Sequence, residues 1–295
     1  MTEKRISGLE GPGAVPRAPW PHWPLVLVAG LSGLYLAMLW RFPRWPQQDV
    51  YHGFADARPW LGIPNFADFA SNAPLFLVGF WGLVALWRHR RPAVDLSTGP
   101  PNGRIFADVW EARFALGFFL AVALTGLGSA WYHWAPDTPR LFWDRLPLSA
   151  ISMCLPPVMF AGASSSSVTR LQVALLVLWV AAAPASVLHW HLSESFGQGD
   201  LRGYAATQIA SLAATLAFVH LLPRRPGELP FYLAALVLYV LSRVTERHDA
   251  LIFSWGGILS GHTLKHLLSA LLVAVLLRMV LRRGKRTLQS ARDQP

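Results

Sequence analysis

The chain is predicted to be all-α, a polytopic bundle of transmembrane helices, and three observations predict it. Apolar stretches of 15 to 24 residues recur along its 295 residues, and a bilayer needs about 20 apolar residues per spanning helix. Hydrophobic residues make up 53% and charged residues 14%, against roughly a quarter charged in a soluble domain. That leaves too little polar surface for a water-soluble body. The 14 tryptophans suit membrane interfaces, where an indole ring meets both phases.

Met1 to His22 is polar and rich in Gly and Pro, so residues 1–23 read as a flexible cytoplasmic tail. The first span covers 24–41. A cleaved signal peptide is the rival reading, but the stretch starts late and Leu34-Tyr35-Leu36-Ala37 offers no small-residue cleavage site. Further spans are expected at 68–87, 113–133, 143–162, 170–190, 204–222, 229–243 and 257–280, several bounded by Pro, Gly or charged residues. The seventh, at 15 residues, is short, which implies tilt or a displaced boundary. Residues 281–295 read as a basic cytoplasmic tail, and 42–280 as one compact core with no internal repeat.

Eight spans place both termini on the same side. Lys265 lies within a span; of the other Lys and Arg, seventeen fall on the side of the termini and eight on the opposite side. The positive-inside bias makes the richer side cytoplasmic, and the compact Arg-rich loops suit a multi-pass protein of a bacterial inner membrane. The net charge of +10 is therefore directed at anionic lipid head groups and the insertion machinery rather than at nucleic acid. Cys154, the single cysteine, excludes an intramolecular disulfide and any thiolate metal cluster.

The same topology gathers the polar residues that are costly to bury at the outer side. Asp56, Asn65 and Asp68 precede or open the second span, Ser129 and His133 close the third, and Asp144 opens the fourth. His189, His191 and Glu194 close the fifth, Glu246 and Asp249 follow the seventh, and His262 and His266 lie early in the eighth. Helix ends are wet, which accounts for about half of these residues. It accounts less well for the two histidines of Gly261-His262-Thr263-Leu264-Lys265-His266, because ionisable residues inside a span are functional candidates.

His262 and His266 stand four apart, so on a helix they project from one face and can share a metal ion. A third ligand is needed, and His133 is the best candidate. It ends the run Gly126-Leu127-Gly128-Ser129-Ala130-Trp131-Tyr132-His133, whose small residues let helices approach closely. Three histidines leave one position of a tetrahedral zinc open, the catalytic arrangement. Ser129, four before His133, faces the same way on a helix, where it either donates to an oxyanion or makes an interhelical hydrogen bond. Asp144, eleven after His133, returns beside the metal if the turn containing Pro136 and Pro139 is short. There it either moves a proton for metal-activated water or serves as an N-cap or a partner of Arg145.

Taken in order, Gly128-Ser129-Ala130-Trp131-Tyr132-His133, Asp144-Arg145-Leu146-Pro147 and Gly261-His262-Thr263-Leu264-Lys265-His266 resemble the alkaline ceramidase family. That family lies within a superfamily of seven-helix zinc membrane hydrolases that includes the adiponectin and progestin receptors and the haemolysin III proteins. The resemblance runs from Asp56 to Leu277. It implies a seven-helix catalytic core over 42–280, preceded by an extra helix at 24–41, with the metal side facing the periplasm. It also implies zinc ligands His133, His262 and His266, and catalytic Ser129 and Asp144. The implied reaction is hydrolysis of the amide of a ceramide-like lipid by zinc-activated water, with Asp144 shuttling the proton and Ser129 supporting the tetrahedral intermediate.

Family members carry a calcium-binding segment ahead of their first helix. Here Gly62-Ile63-Pro64-Asn65-Phe66-Ala67-Asp68-Phe69-Ala70-Ser71-Asn72 matches the helix start, but Asn65 stands where a glutamate is usual and Asp68 where an asparagine is. Asp56, Asn65 and Asp68 still offer hard oxygen ligands suited to calcium; a solvated interface loop accounts for them nearly as well.

Three function classes compete. A zinc-dependent lipid amidase leads. A receptor or sensor of the adiponectin receptor type would use the same metal for structure, but polar Ser129 and Asp144 around an open coordination position favour the enzyme. A transporter is disfavoured for want of an inverted repeat and of a polar path to the cytoplasmic side. The partner expected is a membrane lipid substrate, whose head group and scissile bond the residues leave open.

Overall fold

The computed structural model describes residues 22–89, 105–106, 108–164 and 168–292, so almost all of the expected N-terminal tail lies outside the described residues. The described chain is helical, and eight of its helical segments are long and apolar enough to cross a membrane. In chain order the helices are α1 (Trp23–Arg41), α2 (Phe66–Ala70), α3 (Ala73–His89), α4 (Val109–Trp134), α5 (Thr138–Ala163), α6 (Arg170–Ser195), α7 (Arg202–Leu221), α8 (Leu229–Arg247), α9 (Asp249–Ser254) and α10 (Gly261–Arg292). Helices α2 and α3 together form one span, Phe66–Arg88, interrupted at Ser71 and Asn72.

Caps explain where the observed ends depart from the expected ones. Helix α4 starts at Val109 rather than 113 because the Asp108 side chain accepts from Trp110 N. Helix α5 starts at Thr138 rather than 143, since Asp137 caps Arg140 N at 2.7 Å and Pro139 occupies the first turn. The short seventh span is Leu229–Arg247, 19 residues long. The last helix starts at Gly261, four residues later than expected, and continues to Arg292, so the start of the expected basic tail is helical.

Helices α4 and α5 form the centre. Helix α4 packs against α3 and α5, α5 against α6 and α7, and α10 against α8 and α3. Helix α1 lies outside this core against α6 and α7. Its C-terminal end is held by Arg202 Nη1, which donates to Phe42 O at 2.7 Å. Close helix approach depends on missing side chains: a Cβ on Gly79 would fall 2.5 Å from Ala123 N, and one on Gly126 2.6 Å from Phe76 N. Between the two ends of the bundle the core is filled by Phe118, Phe119, Val122, Met153 and Trp179, all buried.

Each end of the bundle carries a polar cluster. One contains the histidines. The other contains Glu111 of α4, whose carboxylate pairs with Arg283 of α10 at 2.7 Å and with Arg225 at 3.4 Å; Arg283 also reaches Glu228 at 2.7 Å. This second cluster was not expected: its members are scattered from 111 to 283, and nothing in their local spacing marks them.

Candidate metal centre

Three histidines converge from two helices. His133 sits one residue before the end of α4, while His262 and His266 lie in the first two turns of α10. The separation of four puts the latter two on one face, as the sequence predicts. All three are buried, at 1%, 6% and 4% exposure, and one ligand nitrogen from each lies within 4.8 Å of the other two. Nε2 of His133 and Nε2 of His262 are 3.2 Å apart; two imidazoles about 2.1 Å from one tetrahedral ion would place their nitrogens about 3.4 Å apart.

The surroundings prepare these rings to accept a cation. Ser71 Oγ donates to Asp68 O at 2.9 Å, so it accepts from His266 Nδ1 at 2.8 Å, leaving Nε2 with a free lone pair. Asn72 Nδ2 also binds Asp68 O at 2.8 Å. The interruption between α2 and α3 is therefore what supports His266. Lys265 Nζ lies 3.0 Å from His262 Nε2, and because an ammonium only donates, this nitrogen is an acceptor. Nδ1 of His133 is buried without a hydrogen-bond partner among the described residues. Three buried imidazoles whose nitrogens converge are the donor set of a divalent metal such as zinc, and the cluster can hold one, with His262 Nε2 exchanging its contact with Lys265 for the ion.

Backbone anchors fix the second half of the site. Asp249 accepts from His262 N at 2.7 Å and from Ala55 N at 2.9 Å, tying the start of α10 to the loop after α1. That loop lays Phe54 over the histidines, with ring centroids 4.5 Å from both His133 and His262. It also brings His52 within 2.8 Å of the Tyr132 hydroxyl; burial pushes the His52 imidazole below its ordinary value.

The three-residue turn 135–137 reverses the chain and α5 runs back along α4, so that the α4 backbone at Gly128, next to the buried Ser129, lies against the α5 backbone at Trp143 and Asp144. Gly128 makes room for this crossing: a Cβ there would collide with the backbone carbonyl of Trp143.

The expected oxygen ligands for calcium have separate partners. Asp56 is buried against Arg58, which bonds it at 2.7 and 2.6 Å and holds its carboxyl below the ordinary value. Arg58 carries the contact on to Gly257 O and Ile258 O. Asn65 has left-handed backbone, with φ 49°, and donates to His133 O at 3.3 Å. Asp68 accepts from Thr263 Oγ1 at 2.6 Å and Ser260 Oγ at 3.3 Å.

The fifth-span residues stand apart from the histidine cluster. His189 is exposed, His191 packs on Phe142, and Glu194 accepts from Trp190 Nε1 and Gln47 N. Lys265 pairs with Glu246 at 3.0 Å. Sequence reasoning missed Phe54, His52 and the roles of Ser71 and Asn72; the last two lie inside the quoted helix-start run, the only signal that pointed to them.

Comparison with protein-family models, with curated proteins and with solved structures returns no match. The membrane bundle with three buried histidines is consistent with the superfamily of seven-helix zinc membrane hydrolases, at the level of architecture and metal-ligating residues.

Proposed function

We propose that the chain is a zinc-dependent intramembrane hydrolase that cleaves the amide bond of a ceramide-like N-acyl lipid. The observation that carries this reading is the cluster of three buried histidines, with Ser129 and Asp144 on the two helices that cross closely at Gly128. A metal held only for structure would be served by a closed shell of ligands; here a carboxylate and a hydroxyl stand next to an incomplete one.

When bound, zinc supplies a water activated for attack and polarises the carbonyl under attack. His133, His262 and His266 would hold it. Asp144 is placed to take a proton and return it to the departing amine, so that one carboxylate serves as base and then acid. Ser129 keeps that carboxylate oriented and is placed to donate to negative charge developing on the carbonyl oxygen. Phe54 and Tyr132 exclude bulk water from the histidine side, which strengthens each of these interactions. The charge bias of the loops supports a bacterial inner membrane, with the histidine end toward the periplasm and both termini cytoplasmic. Calcium is not needed for this chemistry, and Asp56 is committed to Arg58.

The test is metal content by mass spectrometry of detergent-purified protein, followed by hydrolysis of an N-acyl lipid panel. About one zinc per wild-type chain, lost in His133→Ala and His266→Ala, with amide cleavage in the wild type alone, is expected. Zinc without cleavage of any N-acyl lipid would favour a sensor; no zinc would end the proposal.

A further inference from the structure

Beside Asp144 lies a buried cation that the proposed reaction does not use. Arg145 is 6% exposed, and its guanidinium carbon lies 4.6 Å from the ring of Trp190, 5.0 Å from Tyr51 and 5.4 Å from Tyr204. Nη1 is buried without a hydrogen-bond partner, and Arg145 forms no ion pair among the described residues. Glu246 is engaged elsewhere, with both Arg243 and Lys265. Aromatic faces compensate a buried guanidinium only in part. Its in-plane N–H groups need an acceptor, and a full negative charge is the acceptor that best offsets desolvation.

The location says what that acceptor is. Arg145 stacks on Tyr51, whose neighbour His52 contacts the Tyr132 hydroxyl beside His133, so the buried guanidinium belongs to the histidine end of the bundle rather than to a lipid-facing surface. A lipid whose scissile amide sits at Asp144 extends across this end of the bundle, where Arg145 stands among Tyr51, Trp190 and Tyr204. We infer that Arg145 recognises an oxyanion on the amine side of the substrate, so that the preferred lipid is an anionic N-acyl compound, such as an N-acyl amino acid, rather than one with a neutral head group. The inference rests on the hydrolase reading for the position of the scissile bond. It gives that reading a substrate class, with the planar guanidinium matched to a carboxylate or phosphate.

The test is equilibrium binding to the zinc-loaded protein in uncharged detergent, with two probes that cannot be cleaved: hexadecanesulfonyl-glycine, which is anionic, and hexadecanesulfonyl-ethanolamine, which is neutral. The anionic probe is expected to bind at least about tenfold tighter to wild type. Arg145→Gln is expected to abolish that preference while still binding the neutral probe, which reports that the variant is folded, and Arg145→Lys is expected to keep part of it. Equal affinities in wild type, or a preference that survives Arg145→Gln, would overturn the inference. Bulk phospholipid offers the same oxyanion chemistry, so displacement of the anionic probe by equimolar lysophosphatidylglycerol would reassign Arg145 to boundary lipid and equally overturn it; retention supports it. Because the readout is binding, a preference found without hydrolysis of any lipid sinks the hydrolase and keeps the oxyanion site, whereas hydrolysis without a preference does the reverse.

Discussion

Ser71 Oγ lies 2.8 Å from Nδ1 of His266, at the point where the second membrane span breaks between α2 and α3. The hydroxyl fixes which ring nitrogen keeps its lone pair, and such supports alter metal affinity by roughly 10- to 100-fold. Ser71→Ala is expected to weaken zinc binding by about that factor, measured by competition with a chelator, while leaving the helical circular dichroism spectrum unchanged. Unchanged affinity would mean that the Ser71 hydroxyl does not set the orientation of the ring.

In the proposed reaction Asp144 and Ser129 handle the proton and do not retain the metal. Asp144→Asn preserves shape and removes the base, so amide hydrolysis should fall by about 10²- to 10⁴-fold with zinc content at the wild-type level. Loss of zinc in this variant would instead make Asp144 a ligand.

Gly128 sits where α4 crosses the backbone of Trp143. Gly128→Ala pushes α5 away from α4, and overpacking of this kind costs about 1 to 3 kcal/mol. The expected result is a lower melting temperature and a reduced hydrolysis rate with zinc retained, because the displaced strut carries Asp144 and not the histidines. A rate as high as wild type would show that the crossing absorbs the methyl group elsewhere.

The Asp56–Arg58 pair clips the loop after α1 to Gly257 and Ile258. Since Arg58 lowers the Asp56 carboxyl below its ordinary value, the folded state binds the proton less tightly than the unfolded chain. The contribution is therefore complete above the ordinary aspartate value, near about 4, and disappears as pH falls through the lowered one. Asp56→Asn should melt earlier than wild type at pH 7, and the two melting curves should converge as the solution is acidified below about pH 4. A gap independent of pH would assign the effect to packing rather than charge.

The parts of this molecule legible in the sequence are those fixed by local spacing. Eight spans follow from apolar run length, and His262 with His266 from a separation of one helical turn. The return of α5 along α4 near Ser129 and Asp144 was legible because a turn rich in Pro constrains how α5 leaves α4. Boundaries were displaced wherever a cap was ignored, as at Asp108 and Asp137. What sequence reasoning could not reach depends on contacts between distant segments. Phe54 covers His133 from a loop 79 residues away in sequence, and Glu111 meets Arg283 across 172 positions. The absence of a polar path toward the cytoplasm was argued from the spans alone, yet the Glu111 cluster occupies that end.

Those two ends are insulated from one another. Helix α4 carries no ionisable side chain between Arg113 and Tyr132, α10 none between His266 and Arg278, and α5 none beyond Arg145 except the thiol of Cys154, which is enclosed in the apolar core. No relay of titratable groups along these helices links the histidines to Glu111. In the proposed reaction, protons exchanged by Asp144 would therefore come from, and return to, the aqueous phase on its own side. In sealed proteoliposomes of uniform orientation, the proposed turnover would then track the acidity of one compartment and ignore the other, making it a reporter of a single face of the membrane.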